Sequence, residues 1–191
     1  MKDITVLRNE VLCKNWHTLR KVTYKFTDNN GHVHTHEREA YDRGNGAAIL
    51  LYNTEMQTVI LTRQFRLPTY INGNADGMLI EVCAGQLEKD NPEDCIRKET
   101  AEETGYSISK VEKVMEAYMS PGSVTEVIYF FIATYTADMK QHAGGGLAHE
   151  QEDIEVLELP FEKTLQMIDT GKIKDGKTIM LLQYLRLKNI L

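Results

Sequence analysis

The sequence predicts an α/β protein in which a mixed sheet is sandwiched between helices, with an antiparallel β-element before it. Two observations support this fold class. Strand-like segments lie on both sides of a mid-chain helix at residues 92–104, and helical segments close the chain. Near the start, alternating apolar and polar residues flank Asn29, Asn30 and Gly31, a sequence typical of a β-hairpin turn.

The N-terminal β-element is placed at residues 1–42, with strands expected at 3–12, 16–27 and 32–41. A sheet of this size is marginally stable alone and needs a surface to pack on. Residues 43–191 are expected to form the main domain. Its elements are predicted as strands at 47–52, 57–66, 78–85, 110–119, 125–136 and 154–159, and helices at 92–104, 160–170 and 176–190.

The ends of the mid-chain helix follow known residue preferences. Pro92 suits the first helical position and Gly105 suits the position just after the last turn. A polar segment at 142–153 contains three consecutive glycines, which predict a hinge because no strand-before, helix-after context marks a phosphate loop.

Composition narrows the functional class. The chain has 191 residues, 42% of them hydrophobic and 26% charged, as in an ordinary globular protein. A net charge of -6 argues against a nucleic-acid-coating surface. The first residues lack a signal-peptide core, and no apolar run is long enough to span a membrane. The three cysteines are widely spaced and suggest buried, reduced thiols in a cytoplasmic protein.

The most informative residues are Glu99, Glu102 and Glu103, which lie at i, i+3 and i+4 near the end of the predicted helix. On a helix they project from one face, where like charges repel. Such crowding is explained if the carboxylates bind a hard divalent cation such as Mg²⁺. The alternative is a solvated acidic helix face.

These residues and their neighbours resemble the Nudix hydrolase family, whose signature is G-x5-E-x7-R-E-U-x-E-E-x-G-U, with U a bulky aliphatic residue. The matching positions are Gly85, Glu99, Glu102, Glu103, Gly105 and Tyr106. The chain departs from the signature at Asn91, which replaces the first glutamate, and at Lys98 and Thr100. The spacing is also one residue short. These departures affect the loop that precedes the helix, whereas the expected metal ligands are all present.

Within the family, the chain resembles the enzymes that cleave nucleoside-diphosphate sugars, in particular bacterial GDP-mannose pyrophosphatases. Asp175, Gly176, Lys177 and Thr178 look like the GDP-mannose enzymes, whereas Pro121 is similar to the ADP-ribose pyrophosphatase branch. The resemblance implies Mg²⁺-dependent hydrolysis of GDP-mannose to GMP and mannose 1-phosphate. Two alternatives are an ADP-ribose pyrophosphatase and a non-catalytic nucleotide-sugar sensor on the same fold.

The resemblance also implies roles for individual residues. Glu99, Glu103, Glu152 and the backbone carbonyl of Ala84 would bind Mg²⁺. Glu150 is the candidate general base, with Glu102 as an alternative base or an outer metal ligand, and Glu103 belongs to the same catalytic group. Arg66 and Lys177 would hold the diphosphate, because arginine and lysine suit phosphate recognition. The other expected substrate contacts are Trp16, Glu37, Arg38, Glu39, Gly85, Gln86, Glu126 and Gln151.

Members of this subgroup are homodimers in which N-terminal strands cross to the partner. The resemblance therefore implies a cytoplasmic homodimer in which residues 1–42 complete the partner's site. The expected partner is a small nucleotide sugar, with neither nucleic acid nor membrane involved.

Overall fold

The chain forms two compact units. A computed structural model describes residues 3–87 and 89–191, apart from the side chain of Glu150. The N-terminal unit comprises the residues up to Asn45 together with Ala117–Ile128. The second unit comprises Gly46–Glu116 and Tyr129–Leu191.

The N-terminal unit contains a three-stranded antiparallel sheet in the order β1-β2-β3. The turn between β2 and β3 is fixed by Asp28, whose Oδ1 accepts hydrogen bonds from the backbone N–H groups of Asn30 at 2.8 Å and His32 at 2.9 Å. Gly31 adopts a positive φ of 85° there, which explains the glycine. The strands are β1 (Ile4–Lys14), β2 (Thr18–Thr27) and β3 (Val33–Asp42).

This sheet lacks a core of its own. No residue between positions 3 and 45 is buried in the described chain. Apolar side chains of β1 and the following turn are instead left in solvent, and Trp16 is 90% exposed. The exposed apolar residues here are Ile4, Val6, Leu7, Val11, Leu12, Trp16 and Val33.

The second sheet has seven strands and follows the path β10-β5-β4-β9-β8, with β6 paired to β5 and β7 paired to β4. Both β6 and β7 run antiparallel to their partners. The strands are β4 (Gly46–Asn53), β5 (Thr58–Phe65), β6 (Met78–Glu81), β7 (Cys83–Gln86), β8 (Glu112–Tyr118), β9 (Val127–Thr134) and β10 (Glu155–Pro160).

The single strand predicted at 78–85 is divided at Val82. The backbone N–H of Val82 donates to Thr178 Oγ1 at 2.7 Å, a side-chain atom of the helix Gly176–Leu187, and not to a neighbouring strand. The chain thereby passes from one partner strand to another, because β6 pairs with β5 and β7 pairs with β4. This crossing places Glu81 and Gly85 on two different strand pairs.

Helices cover both faces of this sheet. The helices are α1 (Leu67–Ile71), α2 (Pro92–Glu99), α3 (Phe161–Asp169) and α4 (Gly176–Leu187). Ile96 of α2 packs with Ile49 and Leu51 of β4 in the main hydrophobic cluster. Ala48 and Leu50 point to the other face, since side chains alternate along a strand, and α4 contacts β4 there with fully buried leucines. The predicted α/β/α sandwich is confirmed.

Two helical details differ from the sequence prediction. Helix α1 lies between two predicted strands, in a segment for which no helix is predicted, and Pro68 stands in its first turn. The mid-chain helix stops being α-helical at Glu99 and continues as a π-helical turn over Thr100–Thr104. In the described part of the chain, no helix is long and apolar enough to cross a membrane.

Candidate active site

Glu103 is the central residue of the candidate site. It lies in the π-helical turn and is 2% exposed. Among the described residues, its Oε2 atom is the buried side-chain oxygen that has no hydrogen-bond partner. Burying an unpaired carboxylate oxygen is costly unless a cation or a proton compensates for it.

The protonation of Glu103 reflects this environment. Burial raises the pKa of Glu103 to about 8, a hydrogen bond from the Cys83 thiol opposes the rise, and the charges of Glu99 and Glu152 add to it. The positive charge of Arg66 acts in the opposite direction. The charges of two further carboxylates therefore act on Glu103, and carboxylate oxygens are the ligands that a hard divalent cation prefers.

Glu99 occupies space that only a glycine leaves open. A Cβ atom added to Gly85 would lie 2.2 Å from the Glu99 Cδ and Oε1 atoms. The Glu99 carboxylate therefore packs directly against the backbone of strand β7. This contact brings together the first glycine and the first matching glutamate of the sequence motif.

Glu102 has a different environment from Glu103, although the two are adjacent. Its carboxylate lies 3.8 Å from the ammonium group of Lys98, and its side chain is 24% exposed. The π-helical turn begins at Thr100, whose hydroxyl donates to the Ile96 carbonyl at 2.6 Å, and Thr104 donates similarly to Thr100. Such turns widen a helix locally and are frequent at functional sites. Here one glutamate is buried while its neighbour stays partly in solvent.

The three-glycine segment at 144–146 caps the acidic turn, the π-helical turn Thr100–Thr104 that carries Glu102 and Glu103. The backbone N–H of Gly145 donates to the Glu103 carbonyl at 2.8 Å, and that of Gly146 donates to the Glu102 carbonyl at 3.1 Å. Gly144 has a φ of 77°, and a Cβ atom there would lie 2.5 Å from the Glu103 carbonyl oxygen. The glycines thus satisfy the last carbonyls of the helix. The structure shows this capping role for the glycines, and the expected hinge stays a prediction.

The acidic loop contributes Glu152. Its Oε2 accepts a hydrogen bond from the Leu147 N–H at 2.9 Å, and it packs against Gly146, where an added Cβ would lie 2.4 Å away. Gln151 adopts a left-handed conformation with φ 60° and is exposed. The side chain of Glu150, the expected general base, lies outside the described residues.

The described carboxylates do not form a complete set of metal ligands. No group of three described His, Cys, Asp or Glu side chains is close enough together to hold an ion. Glu99, Glu103 and Glu152 are therefore not drawn together to coordination distance. The unpartnered Glu103 Oε2, and the repulsion that the charges of Glu99 and Glu152 exert on this carboxylate, nevertheless fit a divalent cation.

Ala84 and Gln86 flank Gly85 on β7. Ala84 pairs with Ala48 of β4, and Gln86 pairs with Gly46. The Gln86 carbonyl accepts a hydrogen bond from the Cys95 thiol at 3.4 Å. This contact ties α2 to β7.

Contrary to the expectation of three buried thiols, Cys13 is exposed, while Cys83 and Cys95 are buried.

Both predicted diphosphate-binding residues meet at Glu81. Arg66 Nε donates to Glu81 Oε2 at 2.6 Å, and Lys177 Nζ donates to Glu81 Oε1 at 3.3 Å. Lys177 also donates to Asp175 Oδ1 at 2.7 Å. Burial lowers the pKa of Lys177, but the charges of Asp175 and Glu81 outweigh it, so the net shift is upward.

Sequence reasoning did not identify Glu81 as a site residue. A signal was present, because Glu81 is the one charged residue in the otherwise apolar segment 78–84. A buried charge at such a position requires partners.

Asn91 explains one departure from the family signature. Its side chain accepts hydrogen bonds from the backbone N–H groups of Glu93 at 3.1 Å and Asp94 at 3.0 Å. It is therefore the N-cap of α2, a position at which asparagine is among the best residues.

The remaining predicted substrate contacts lie in the N-terminal unit. Trp16 stacks on His17 with ring centroids 6.0 Å apart and is almost fully exposed, which excludes a core role. On β3, Glu37 is 2.9 Å from Lys21 Nζ, and this hydrogen bond lowers the pKa of Glu37. Arg38 points to the opposite face of the sheet from Glu37 and Glu39, because side chains alternate along a strand.

Glu126 belongs to the second segment of the N-terminal unit. It is 9% exposed, and its Oε1 lies 3.3 Å from Arg43 Nε. The next residue, Val127, donates its N–H to Asn45 Oδ1 at 3.0 Å. Glu126 is therefore a buried, paired carboxylate within that unit.

Comparison with known families matches two domain descriptions. Residues 3–41 match the "GDP-mannose pyrophosphatase NudK N-terminal domain", and residues 42–181 match the NUDIX domain. Together the two matches span most of the chain.

Individual relatives are similar over the full length. A GDP-mannose pyrophosphatase of Enterobacter sp. is 56% identical over 188 residues, covering 98% of this chain and 97% of the relative. Proteins of the same name from Salmonella arizonae and Escherichia coli are 55% identical over 190 residues, covering 100% of this chain and 98% of each relative. With the NUDIX match and the acidic helix at its centre, these similarities show that the chain belongs to the Nudix hydrolase family.

Proposed function

We propose that this protein hydrolyses the diphosphate of GDP-mannose, releasing GMP and mannose 1-phosphate. The observation that carries the substrate assignment is the 55–56% identity to GDP-mannose pyrophosphatases over nearly the whole chain. The chemistry is supported by the second unit, where the charges of Glu99 and Glu152 act on the buried Glu103 and where Glu81 holds a pair of cations.

Nudix hydrolases generally use divalent cations, and we propose Mg²⁺ for this chain. Glu99, Glu103, Glu152 and the Ala84 carbonyl would hold it. When bound, the ion would neutralise charge developing on the diphosphate and lower the pKa of the attacking water. The unpartnered Oε2 of Glu103 supports this assignment, because coordination would satisfy it.

Hydrolysis requires a base for the attacking water. The water oxygen forms a bond to phosphorus while the bond from that phosphorus to the bridging oxygen breaks. We propose that Glu150 accepts the water proton, with Glu102 as the alternative. Glu102 lies near the candidate site, with its carboxylate 3.8 Å from the ammonium group of Lys98.

The substrate must be positioned for in-line attack. We assign the diphosphate to Arg66 and Lys177, the cations that both contact Glu81. Contacts to the rest of the nucleotide sugar are assigned to Trp16, Glu37, Arg38, Glu39, Gly85, Gln86, Glu126 and Gln151.

We further propose that the protein is a cytoplasmic homodimer, in which residues 1–42 form a dimerising element and complete the partner's site, and residues 43–191 form the hydrolase domain. The exposed apolar residues of β1 support the dimer, because a sheet with no buried residue needs a partner surface. Three free cysteines are consistent with a reducing compartment.

A substrate panel tests this function. Purified protein with Mg²⁺ is assayed on GDP-mannose, GDP-glucose, ADP-ribose and ADP-glucose in parallel. We expect GDP-mannose to give the highest kcat/KM and to yield GMP. A preference for ADP-ribose would overturn the substrate assignment, and binding without cleavage would support a sensor.

Two matched variants test the site. Glu103→Gln keeps the shape of the side chain and is expected to lower kcat by roughly a hundredfold or more, the scale of losing an essential catalytic group. Glu93→Gln is the control, because Glu93 lies on the same helix but pairs only with Arg97 at the surface among its described contacts. Equal activity of the two variants would refute the role of Glu103.

A further inference from the structure

Glu81 is a buried carboxylate shared by two cations. Its side chain is 4% exposed, whereas those of Arg66 and Lys177 are 40% and 18% exposed. Each carboxylate oxygen accepts from a different cation, Oε2 from Arg66 and Oε1 from Lys177. The two cations come from distant segments of the chain and are held side by side through this one residue.

Stability alone gives a weak reason for a charge at this position. Burying an ion pair costs desolvation that apolar residues of similar size avoid. The neighbouring residues of β6 are apolar, and the Glu81 backbone is already fixed by pairing with Thr62 of β5. The carboxylate is therefore better explained by what it does to Arg66 and Lys177.

The geometry leaves the phosphate-binding atoms of Arg66 available. Glu81 contacts Arg66 through Nε, so the two terminal guanidinium nitrogens have no described hydrogen bond. A guanidinium held by one edge presents its other edge for bidentate binding of an anion. Arg66 also lies near enough to Glu103 for its charge to act on that carboxyl group.

Lys177 is fixed by a second set of contacts. Asp175 accepts hydrogen bonds from Lys177 at 2.7 Å and from the Thr178 N–H at 2.9 Å, so it both caps α4 and orients the lysine. Thr178 in turn accepts from Val82, the residue next to Glu81. The start of α4 and the end of β6 are thereby locked together.

We propose that Glu81 is a positioning residue that orients Arg66 and Lys177 toward the diphosphate of the substrate. It acts through these cations and does not touch the reacting atoms. This inference rests on the proposed function, since it assigns the anion that the two cations bind.

A double-mutant cycle tests the inference. Glu81→Gln keeps the size of the side chain but removes its charge, and we expect kcat/KM for GDP-mannose to fall roughly tenfold, mainly through KM. In an Arg66→Met background, the same substitution is expected to cost less than about threefold, because its main partner is already gone. Equal losses in both backgrounds, or no loss in either, would overturn the proposal.

A matched control separates positioning from general charge effects. Glu155→Gln removes a carboxylate that pairs with Arg63 at 3.2 Å on the adjacent strand and lies at the surface. Its kcat/KM is expected to stay within about twofold of wild type, as for an exposed ion pair. If Glu81→Gln does not fold, Arg66→Lys replaces it, since lysine keeps the charge but loses the forked geometry. An unchanged KM in Arg66→Lys would contradict the proposal.

Equilibrium binding of GDP distinguishes this inference from the proposed function. If the wild type fails to cleave GDP-mannose, the hydrolase assignment is wrong, but GDP still presents a diphosphate to the two cations. Calorimetry is expected to show that Glu81→Gln, or Arg66→Lys in its place, weakens GDP binding by roughly tenfold, the scale of losing a charge-assisted contact. Unchanged GDP affinity, or no GDP binding by the wild type, would reject the role of Glu81.

Discussion

At the scale of single residues, Glu103 combines a buried carboxylate with an oxygen that no described group binds. Adjacent Glu102 stays partly exposed beside Lys98. Adjacent residues of a helical turn point in different directions, so Glu103 is buried in the protein while Glu102 lies at its edge. We interpret the buried oxygen as the position that a cation neutralises.

The raised pKa of Glu103 predicts a pH-dependent stability in metal-free protein. Its value rises from 4.5 to about 8 on folding. Between these values the unfolded chain has lost the proton that the folded chain retains, so the free energy of unfolding falls as pH rises. Glu103→Gln removes this contribution, and its stability relative to wild type is expected to increase across the same window.

Urea unfolding in the presence of a chelator measures the free energy of unfolding of wild type and Glu103→Gln at about pH 5 and about pH 8. The contributions of the other titrating groups cancel in the difference between the two proteins. A difference between the two proteins that does not change with pH would show that Glu103 is ionised in the folded state throughout.

At the scale of elements, the π-helical turn that carries Glu102 and Glu103 is hydrogen-bonded to the three-glycine segment at 144–146. Gly145 and Gly146 bind the carbonyls of Glu103 and Glu102, while Gly146 also makes room for Glu152. The segment therefore connects the helix that carries two of the proposed metal ligands with the loop that carries the third.

Gly144→Ala is predicted to damage this connection. A Cβ at Gly144 would meet the Glu103 carbonyl oxygen at 2.5 Å, and its φ of 77° disfavours alanine. We expect the free energy of unfolding to fall by about 1–3 kcal/mol, together with a loss of Mg²⁺-dependent activity. Thermal unfolding and kinetics measure the two effects.

Gly171→Ala provides the matched control, because Gly171 has a similar φ of 69° but its nearest neighbour would be 3.6 Å from the new Cβ. It carries the conformational strain without the collision. If both substitutions have the same effect on activity, the contact between Gly144 and the acidic turn is unimportant.

The sequence predicted more of the elements than of their connections. Alternating apolar and polar residues located the strands. Pro92 and Gly105 marked the ends of the mid-chain helical segment. These features could be predicted because their sequence signals are local. The division of the predicted strand at Val82 could not be predicted, since it depends on a hydrogen bond to Thr178 far along the chain. The π-helical turn was missed for a similar reason, because its glycine cap comes from a remote loop.

The candidate site shows the same limit. The motif brought attention to Glu99, Glu102 and Glu103, and chemistry suggested Arg66 and Lys177. The pattern did not indicate that Arg66 and Lys177 meet at Glu81, because three separate segments must fold together to form that cluster.

At the scale of the whole molecule, exposed apolar residues of β1 predict self-association. Val11 is 51% exposed in a sheet with no buried residue of its own. Val11→Glu is expected to shift the protein toward monomer in light scattering, because a charge at a buried interface is unfavourable.

Leu187→Glu is the control for this substitution, since Leu187 is 77% exposed at the end of α4 and lies outside the proposed dimer element. A wild-type protein that is monomeric at assay concentration would contradict the dimer, as would an unchanged mass for Val11→Glu.

Direct titration of the protein with Mn²⁺ most directly tests whether the acidic turn holds a divalent cation. Mn²⁺ prefers the same oxygen ligands as Mg²⁺ and can be followed by electron paramagnetic resonance. We expect saturable binding by the wild type, normal binding by Glu93→Gln, and affinity weakened by at least roughly tenfold in Glu103→Gln, as for loss of a metal-ligand contact. Equal Mn²⁺ affinity in the wild type and Glu103→Gln would contradict the account.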